Sequence, residues 1–76
     1  MHIKSDINIV SFLKQVQKCN NEVLFETSEG DRIALKSTLS QYIFCTIASN
    51  PKLLQSGTIR FEQEDDQKLL ADFLCT

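Results

Sequence analysis

The sequence has few of the residues from which common functional sites are built. It contains one histidine, two glycines and no tryptophan. The glycines, Gly30 and Gly57, are far apart, so no glycine-rich loop can cradle a phosphate. A phosphoryl acceptor or metal ligand at His2 would need partner side chains, and none lies nearby in the sequence. We therefore expect His2 to be an exposed histidine near the N-terminus.

The chain also has no cluster of positive charge. Its eight Lys and Arg residues are scattered among ten Asp and Glu residues, and the net charge is −2. Nucleic acids and anionic membranes are bound through basic patches, so neither is an expected partner. The acidic run at residues 62–66 lacks the glycine and terminal glutamate of a calcium loop, and we interpret it as a helix start. No metal or other cofactor is expected.

Long apolar runs are absent as well. No stretch approaches the roughly 18 residues that a membrane-spanning helix needs, and residues 1–6 lack the apolar core of a signal peptide. Cys19, Cys45 and Cys75 are odd in number and widely spaced, which fits neither a disulfide framework nor a zinc site. Reduced cysteines in the cytoplasm are the expectation.

The composition is typical of a small folded protein. The chain has 76 residues, of which 42% are hydrophobic and 24% are charged. These values argue against disorder and favour one domain, residues 1–76, with a thin core. No internal repeat, low-complexity segment or linker divides the chain.

A helical pattern comes first, after a weak strand signal around Ile3. Asp6 and Asn8 are both of helix-capping types, and Asn20 and Asn21 tolerate the conformation that ends a helix. Between them, apolar residues recur at helical spacing, with Lys and Gln mostly on the opposite side. The apolar face consists of Ile9, Phe12, Leu13, Val16 and Cys19. The pattern predicts an amphipathic helix.

A β-hairpin is predicted next, at residues 23–27 and 32–36. The turn at residues 28–31 contains Gly30, which can adopt the positive φ that tight turns require. Alternating apolar residues predict one buried face on the two strands. Its members are Val23, Phe25, Ile33 and Leu35.

A second helix is predicted at residues 39–48, opening at Ser37 and stopped by Pro51. Its apolar residues span a wide arc, from which we predict one side to face the core. That side comprises Leu39, Tyr42, Ile43, Thr46 and Ile47. Phe44 and Ala48 lie off this stripe.

The rest of the chain predicts a further helical turn at residues 52–55, a strand at 58–62 and a last helix from Glu64. The apolar face of that last helix is predicted to be Leu69, Leu70, Phe73 and Leu74. The predicted order is β-α-β-β-α-β-α. It indicates an α+β fold, an open-faced sandwich with three helices on one face of an antiparallel sheet of three or four strands. The expected core is Phe12, Leu13, Val16, Val23, Phe25, Ile33, Leu35, Leu39, Ile43, Ile59, Phe61, Leu70 and Phe73.

This order, with Lys36 and Ser37 entering the second helix, resembles HPr, the small phosphocarrier of sugar phosphotransferase systems. The likeness runs from about residue 9 to 74 and is clearest at residues 22–26, 33–37 and 57–61. HPr proteins carry a phosphorylatable His at the start of the first helix and an Arg two residues later. The corresponding positions here, about Ser5 and Ile7, hold neither, and residues 37–57 are longer than in HPr. The resemblance implies a divergent, HPr-like member without the carrier histidine.

Two candidate sites follow from the resemblance. Ser37 resembles the regulatory serine of HPr proteins, and a phosphate there would meet free backbone N–H groups. The alternative is a plain N-cap serine whose hydroxyl bonds the N–H of Leu39 or Ser40. The second helix also forms the family's docking surface. The corresponding partner-binding residues are Thr38, Gln41, Tyr42 and Phe44.

For Phe44 there is an alternative, in which Leu53 and Leu54 fold back and cover it. The expected function is a non-catalytic, HPr-like regulatory or protein-interaction module, and not an enzyme. A divergent phosphocarrier and a small self-associating structural protein are the alternatives. The sequence names no protein partner.

Overall fold

Helices and strands alternate along the computed structural model in nearly the predicted order. The structure describes residues 1–4 and 6–75. The strands are β1 (His2–Ile3), β2 (Val23–Glu26), β3 (Arg32–Ala34), β4 (Thr58–Phe61) and β5 (Leu74–Cys75). The helices are α1 (Ile9–Gln17), α2 (Thr38–Ala48), α3 (Pro51–Ser56) and α4 (Glu64–Leu69), followed by a 3-10 turn (Ala71–Phe73). The α+β class is confirmed, with four helices in the described part of the chain where three were expected. The last helix ends at Leu69, so the prediction that Phe73 and Leu74 belong to it is wrong.

The strands form two antiparallel sheets. The larger has the order β3–β2–β4, in which Phe25 lies opposite Ile33 on one side and Ile59 on the other. The smaller pairs β1 with β5. The N–H of Ile59 donates to the carbonyl of Met1 at 2.7 Å, so β1 lies next to β4. The expected sheet of three or four strands is therefore a three-stranded sheet with a two-stranded ribbon beside it.

One face of the larger sheet is buried, as the alternation along β2 predicts. Val23 and Phe25 are fully buried, and their neighbours along the strand are only partly so. The ring of Phe25 lies 5.2 Å from that of Phe44 in α2, which lies 5.8 Å from that of Phe12 in α1. These three rings join both helices to the sheet, and such aromatic contacts stabilise a core beyond their buried area.

The outer face of the sheet carries charge. Glu26 accepts hydrogen bonds from Arg32 and Arg60, each with an N–O distance of 3.1 Å. The hydrogen bonds and charges of the two guanidinium groups, led by Arg60, lower the pKa of the Glu26 carboxyl. Exposed pairs of this kind contribute little to stability. They lie on the face of the sheet opposite to the buried side chains of Val23 and Phe25.

Two glycines are required for different reasons. Gly30 has a φ of +94°, the left-handed conformation predicted for the hairpin turn. Gly57 has an ordinary φ but is buried, and a Cβ atom there would overlap the ring of Phe25. Gly57 therefore allows the chain entering β4 to pass close to the centre of the core.

Candidate interaction site on α2

The side of α2 that faces the core differs from the prediction. Phe44 is 0% exposed, and Ile47 and Ala48 pack partly buried beside it. The prediction that Leu39 and Ile43 are core residues is wrong, and so is the placement of Tyr42 and Thr46 on the core side of the helix, because all four are exposed. The stripe was ambiguous because apolar residues surround the helix, and the largest apolar side chain takes the buried position, where it removes the most surface from water.

The opposite side of α2 is exposed and partly apolar. Leu39 is 72% exposed, Tyr42 71% and Ile43 50%. With Thr46, which is also exposed, these residues follow the spacing i, i+3, i+4 and i+7 of one helix face. We call Leu39, Tyr42, Ile43 and Thr46 the outer face of α2. These side chains form a mostly apolar strip on a helix whose other side packs against the core.

Charge is missing from α2. None of its eleven residues is Asp, Glu, Lys or Arg. The first turn has no acidic residue and the last turn has no basic residue, so no side chain offsets the helix dipole at either end. In this respect α2 differs from α1, whose last turn contains Lys14.

The predicted docking residues divide between surface and core. Thr38 and Tyr42 are exposed. Gln41 is half-buried, and its side-chain Nε2 donates to the carbonyl of Leu35 at 2.9 Å. Phe44 is buried against Phe12 and Phe25, so the prediction that it contacts a partner is wrong.

The alternative for Phe44 is correct in placing the ring inside the protein. Leu54 is buried in the same core, whereas Leu53 is 49% exposed. The rings that lie nearest to Phe44 belong to α1 and β2, which its position in the sequence does not reveal.

Ser37 occupies the N-cap position of α2, as predicted. Its carbonyl accepts a hydrogen bond from the N–H of Gln41 at 3.0 Å. Its side chain is exposed and makes no capping hydrogen bond, so the expected bond to Leu39 or Ser40 is absent. Phosphorylation of Ser37 stays a prediction.

The start of α2 is held against the end of α1. Nε2 of Gln17 donates to the carbonyl of Lys36 at 3.3 Å, and Nζ of Lys36 donates to the carbonyl of Cys19. The hydrogen bonds of Gln17 and Lys36 therefore connect the start of α2 to the end of α1.

The Cys19 thiol lies near this junction. Burial, and then the charge of Asp66, raise the pKa of the thiol, and the charge of Lys36 opposes that rise.

Asp66 is a buried charge that the sequence did not single out. Its two carboxylate oxygens accept the backbone N–H groups of Asn20 and Asn21, both at 2.9 Å. Only 1% of the residue is exposed. Asp66 lies in a run of acidic residues, and nothing in that run distinguishes it from Asp65, which is exposed. Its role depends on where the turn after α1 comes to lie.

His2 is exposed, as expected, and its Nδ1 donates to the carbonyl of Gly57 at 2.8 Å. Of the two positions compared with the HPr histidine and arginine, Ile7 packs against the core, and Ser5 lies outside the described residues. Cys19, Cys45 and Cys75 are free thiols. Residues 1–4 and 6–75 contain no group of three His, Cys, Asp or Glu side chains arranged to hold a metal ion.

A cleft lies beside the C-terminal end of α2. It measures about 210 Å³ and is bounded by the hairpin turn, the end of α2 and α3. Glu29 and Asp31 line one side, and Ile47 and Leu53 line the other. The residues of the outer face of α2 do not line this cleft.

Within the part that the structure describes, no helix is both long and apolar enough to cross a bilayer.

Comparisons with known proteins identify no relative of this chain. No protein-family model, curated protein or solved structure matches the sequence or the fold.

Proposed function

We propose that this chain is a non-catalytic protein-interaction module that binds a partner through the outer face of α2. The observation that carries the proposal is the exposure of Leu39, Tyr42 and Ile43 side by side on one helix. Contiguous exposed apolar residues on a soluble domain are typical of interaction sites, and an aromatic residue at the centre is typical of their strongest contacts.

The engagement of the chemically versatile side chains supports binding rather than catalysis. The imidazole of His2 donates a hydrogen bond to the Gly57 carbonyl, and the ammonium group of Lys36 donates one to the Cys19 carbonyl. The Asp66 carboxylate accepts two backbone N–H groups. A catalytic site needs such groups aimed at a shared reacting atom. Here they hold neighbouring segments together.

An HPr-like scaffold is part of the proposal. The order of the first elements, the antiparallel order β3–β2–β4 and the packing of α1 and α2 on one face support it. Regulation through phosphorylation of Ser37 fits this scheme, because the exposed hydroxyl lies next to the outer face of α2. A cytoplasmic location also stays a prediction.

The proposal is tested by affinity capture with quantitative mass spectrometry. Tagged wild-type protein is compared with Tyr42→Asp and with Val10→Asp. Val10 is a matched control, since it is 63% exposed but lies on α1. Proteins retained by the wild type and by Val10→Asp, but lost with Tyr42→Asp, are the expected result.

Amide shift perturbation then maps the contact. With a purified partner added to labelled protein, the largest changes are expected within residues 37–48. Perturbations that avoid α2, together with a retained set that is identical for all three baits, would contradict the proposed binding surface.

A further inference from the structure

We infer that the partner bound by the outer face of α2 is a second copy of this chain, with the two α2 helices packed antiparallel across a two-fold axis. This inference rests on the proposed function and names its partner. Two observations carry it, the missing charge and the unbalanced helix ends, and the size of the outer face of α2 sets the expected strength of the complex.

The missing charge removes the main obstacle to self-association. Across a two-fold axis the same surface meets itself, so a charged residue near the axis faces an identical charge. Although 24% of the whole chain is charged, α2 carries no charged residue. Interfaces between different proteins use complementary charge to select the partner. The outer face of α2 has no charged residue that could select a different protein, and binding to a second copy does not require one.

The unbalanced helix ends favour the antiparallel arrangement. No acidic side chain lies in the first turn of α2, no basic side chain lies in the last, and Ser37 makes no capping hydrogen bond. An antiparallel copy places the partly positive N-terminus of each helix beside the partly negative C-terminus of the other. If the axis passes between Tyr42 and Ile43, Leu39 of one copy lies over Thr46 of the other.

The size of the strip predicts a weak complex. A helix of eleven residues is about 16 Å long and roughly 10 Å wide. A stable interface covers about 800 Å² on each partner, which is about one sixth of the 4849 Å² surface of this chain. The strip alone falls below that area. We therefore expect a dissociation constant on the order of 100 µM and rapid exchange.

Sedimentation equilibrium of the purified protein tests the inference at concentrations from about 10 µM to 1 mM, which bracket the expected constant. The weight-average mass is expected to rise from 8.7 kDa towards twice that value. Tyr42→Lys should remain at the monomer mass throughout, because two lysines then meet near the axis. Val10→Lys should behave like the wild type. Circular dichroism of each variant checks that it is folded.

A charge-pairing experiment separates a specific contact from general loss of structure. Tyr42→Lys and Tyr42→Glu should each be monomeric, but an equimolar mixture should recover dimers, since opposite charges now meet across the axis. Recovery in the mixture shows that Tyr42 meets its own counterpart. A mixture that stays monomeric while the wild type associates would overturn the antiparallel arrangement.

The remaining outcomes distinguish this inference from the proposed function. If wild-type mass stays at 8.7 kDa up to 1 mM, self-association is wrong. If proteins other than this chain are still captured only when Tyr42 is intact, the interaction module stands and its partner is a different protein. If capture is also independent of Tyr42, the proposed function fails too.

Discussion

The helices α1 and α2 pack against the same core, but the sequence marks the outward side of only one. In α1, Phe12 and Val16 are buried, as the spacing predicts. Lys14 and Gln17 are exposed, which also agrees with the prediction. In α2 no charged residue marks an outward side, and the predicted face was wrong. Which side of a helix faces solvent could therefore be predicted from its charged and polar residues in α1. In α2 the apolar residues span too wide an arc to predict it.

The two helices also differ at their ends. The side chain of Asn8 caps α1 by accepting the N–H of Ser11 at 3.1 Å, and Asp66 binds the chain just beyond the helix. The N-cap serine of α2 makes no such bond. Thus a side chain caps the N-terminus of α1 but not that of α2, whose position depends on the packing of one side and on hydrogen bonds such as that from Gln41 to the Leu35 carbonyl. Four predictions sharpen this contrast, and each pairs a structural position with a matched control.

The largest effect is expected at Phe44. Phe44→Ala removes a ring packed between Phe12 and Phe25 and should lower the free energy of unfolding by about 3–5 kcal/mol. Tyr42→Ala, on the exposed side, should change it by less than about 0.5 kcal/mol. Urea unfolding followed by circular dichroism measures both. Equal losses at the two positions would contradict the orientation of α2.

A smaller effect is expected at Asp66. Asp66→Ala leaves the N–H groups of Asn20 and Asn21 without their partner, which should cost about 2–4 kcal/mol. Asp65→Ala, at the exposed neighbouring acid, should cost less than about 0.5 kcal/mol. Thermal melts of the two variants provide the comparison. A stable Asp66→Ala variant would show that the turn after α1 is held by other contacts.

The N-caps should differ by less. Asn8→Ala removes a formed capping bond and is expected to cost about 1 kcal/mol. Ser37→Ala removes none, so a change of only about a few tenths of a kcal/mol is expected. Ser37→Asp should instead stabilise the protein by about 0.3–1 kcal/mol by placing negative charge at the N-terminus of α2. Urea midpoints at low salt resolve these differences, and equal costs for the two alanine variants would contradict the capping geometry.

The smallest effect concerns pH. Because the folded protein raises the pKa of Cys19, the unfolded chain loses that proton first as the pH rises. The contribution of the neutral thiol is fully present below the ordinary thiol pKa and is lost as the pH rises through the raised value. In the wild type, the free energy of unfolding should decline between about pH 8 and 10. Cys19→Ala should reduce that decline by roughly the amount that the linkage of one proton predicts. Both proteins are measured with reductant present. Cys45→Ala is the exposed control on α2, and its decline should match that of the wild type.

Short-range patterns predicted α1, the hairpin with Gly30 and the start of α2 at Ser37. These depend on periodicity, turn residues and caps that act within a few positions. The burial of Phe44, the carboxylate of Asp66 and the pairing of β5 with β1 were not predictable in this way. Each depends on contacts between residues distant in the chain. For the candidate site, the helix was predicted correctly, but its orientation required the tertiary structure.

The pairing of β1 with β5 brings residues from opposite ends of the described chain into contact, with His2 opposite Cys75. Because these two strands are paired, a short linker between Cys75 and His2 would leave the core undisturbed, and a unit joined in this way should tolerate a break elsewhere in its chain. The exposed turn at Ser28 and Glu29 is a suitable place to open the chain. The same geometry lets the whole unit be inserted into a surface loop of a host protein, with both connections leaving from one edge of the sheet.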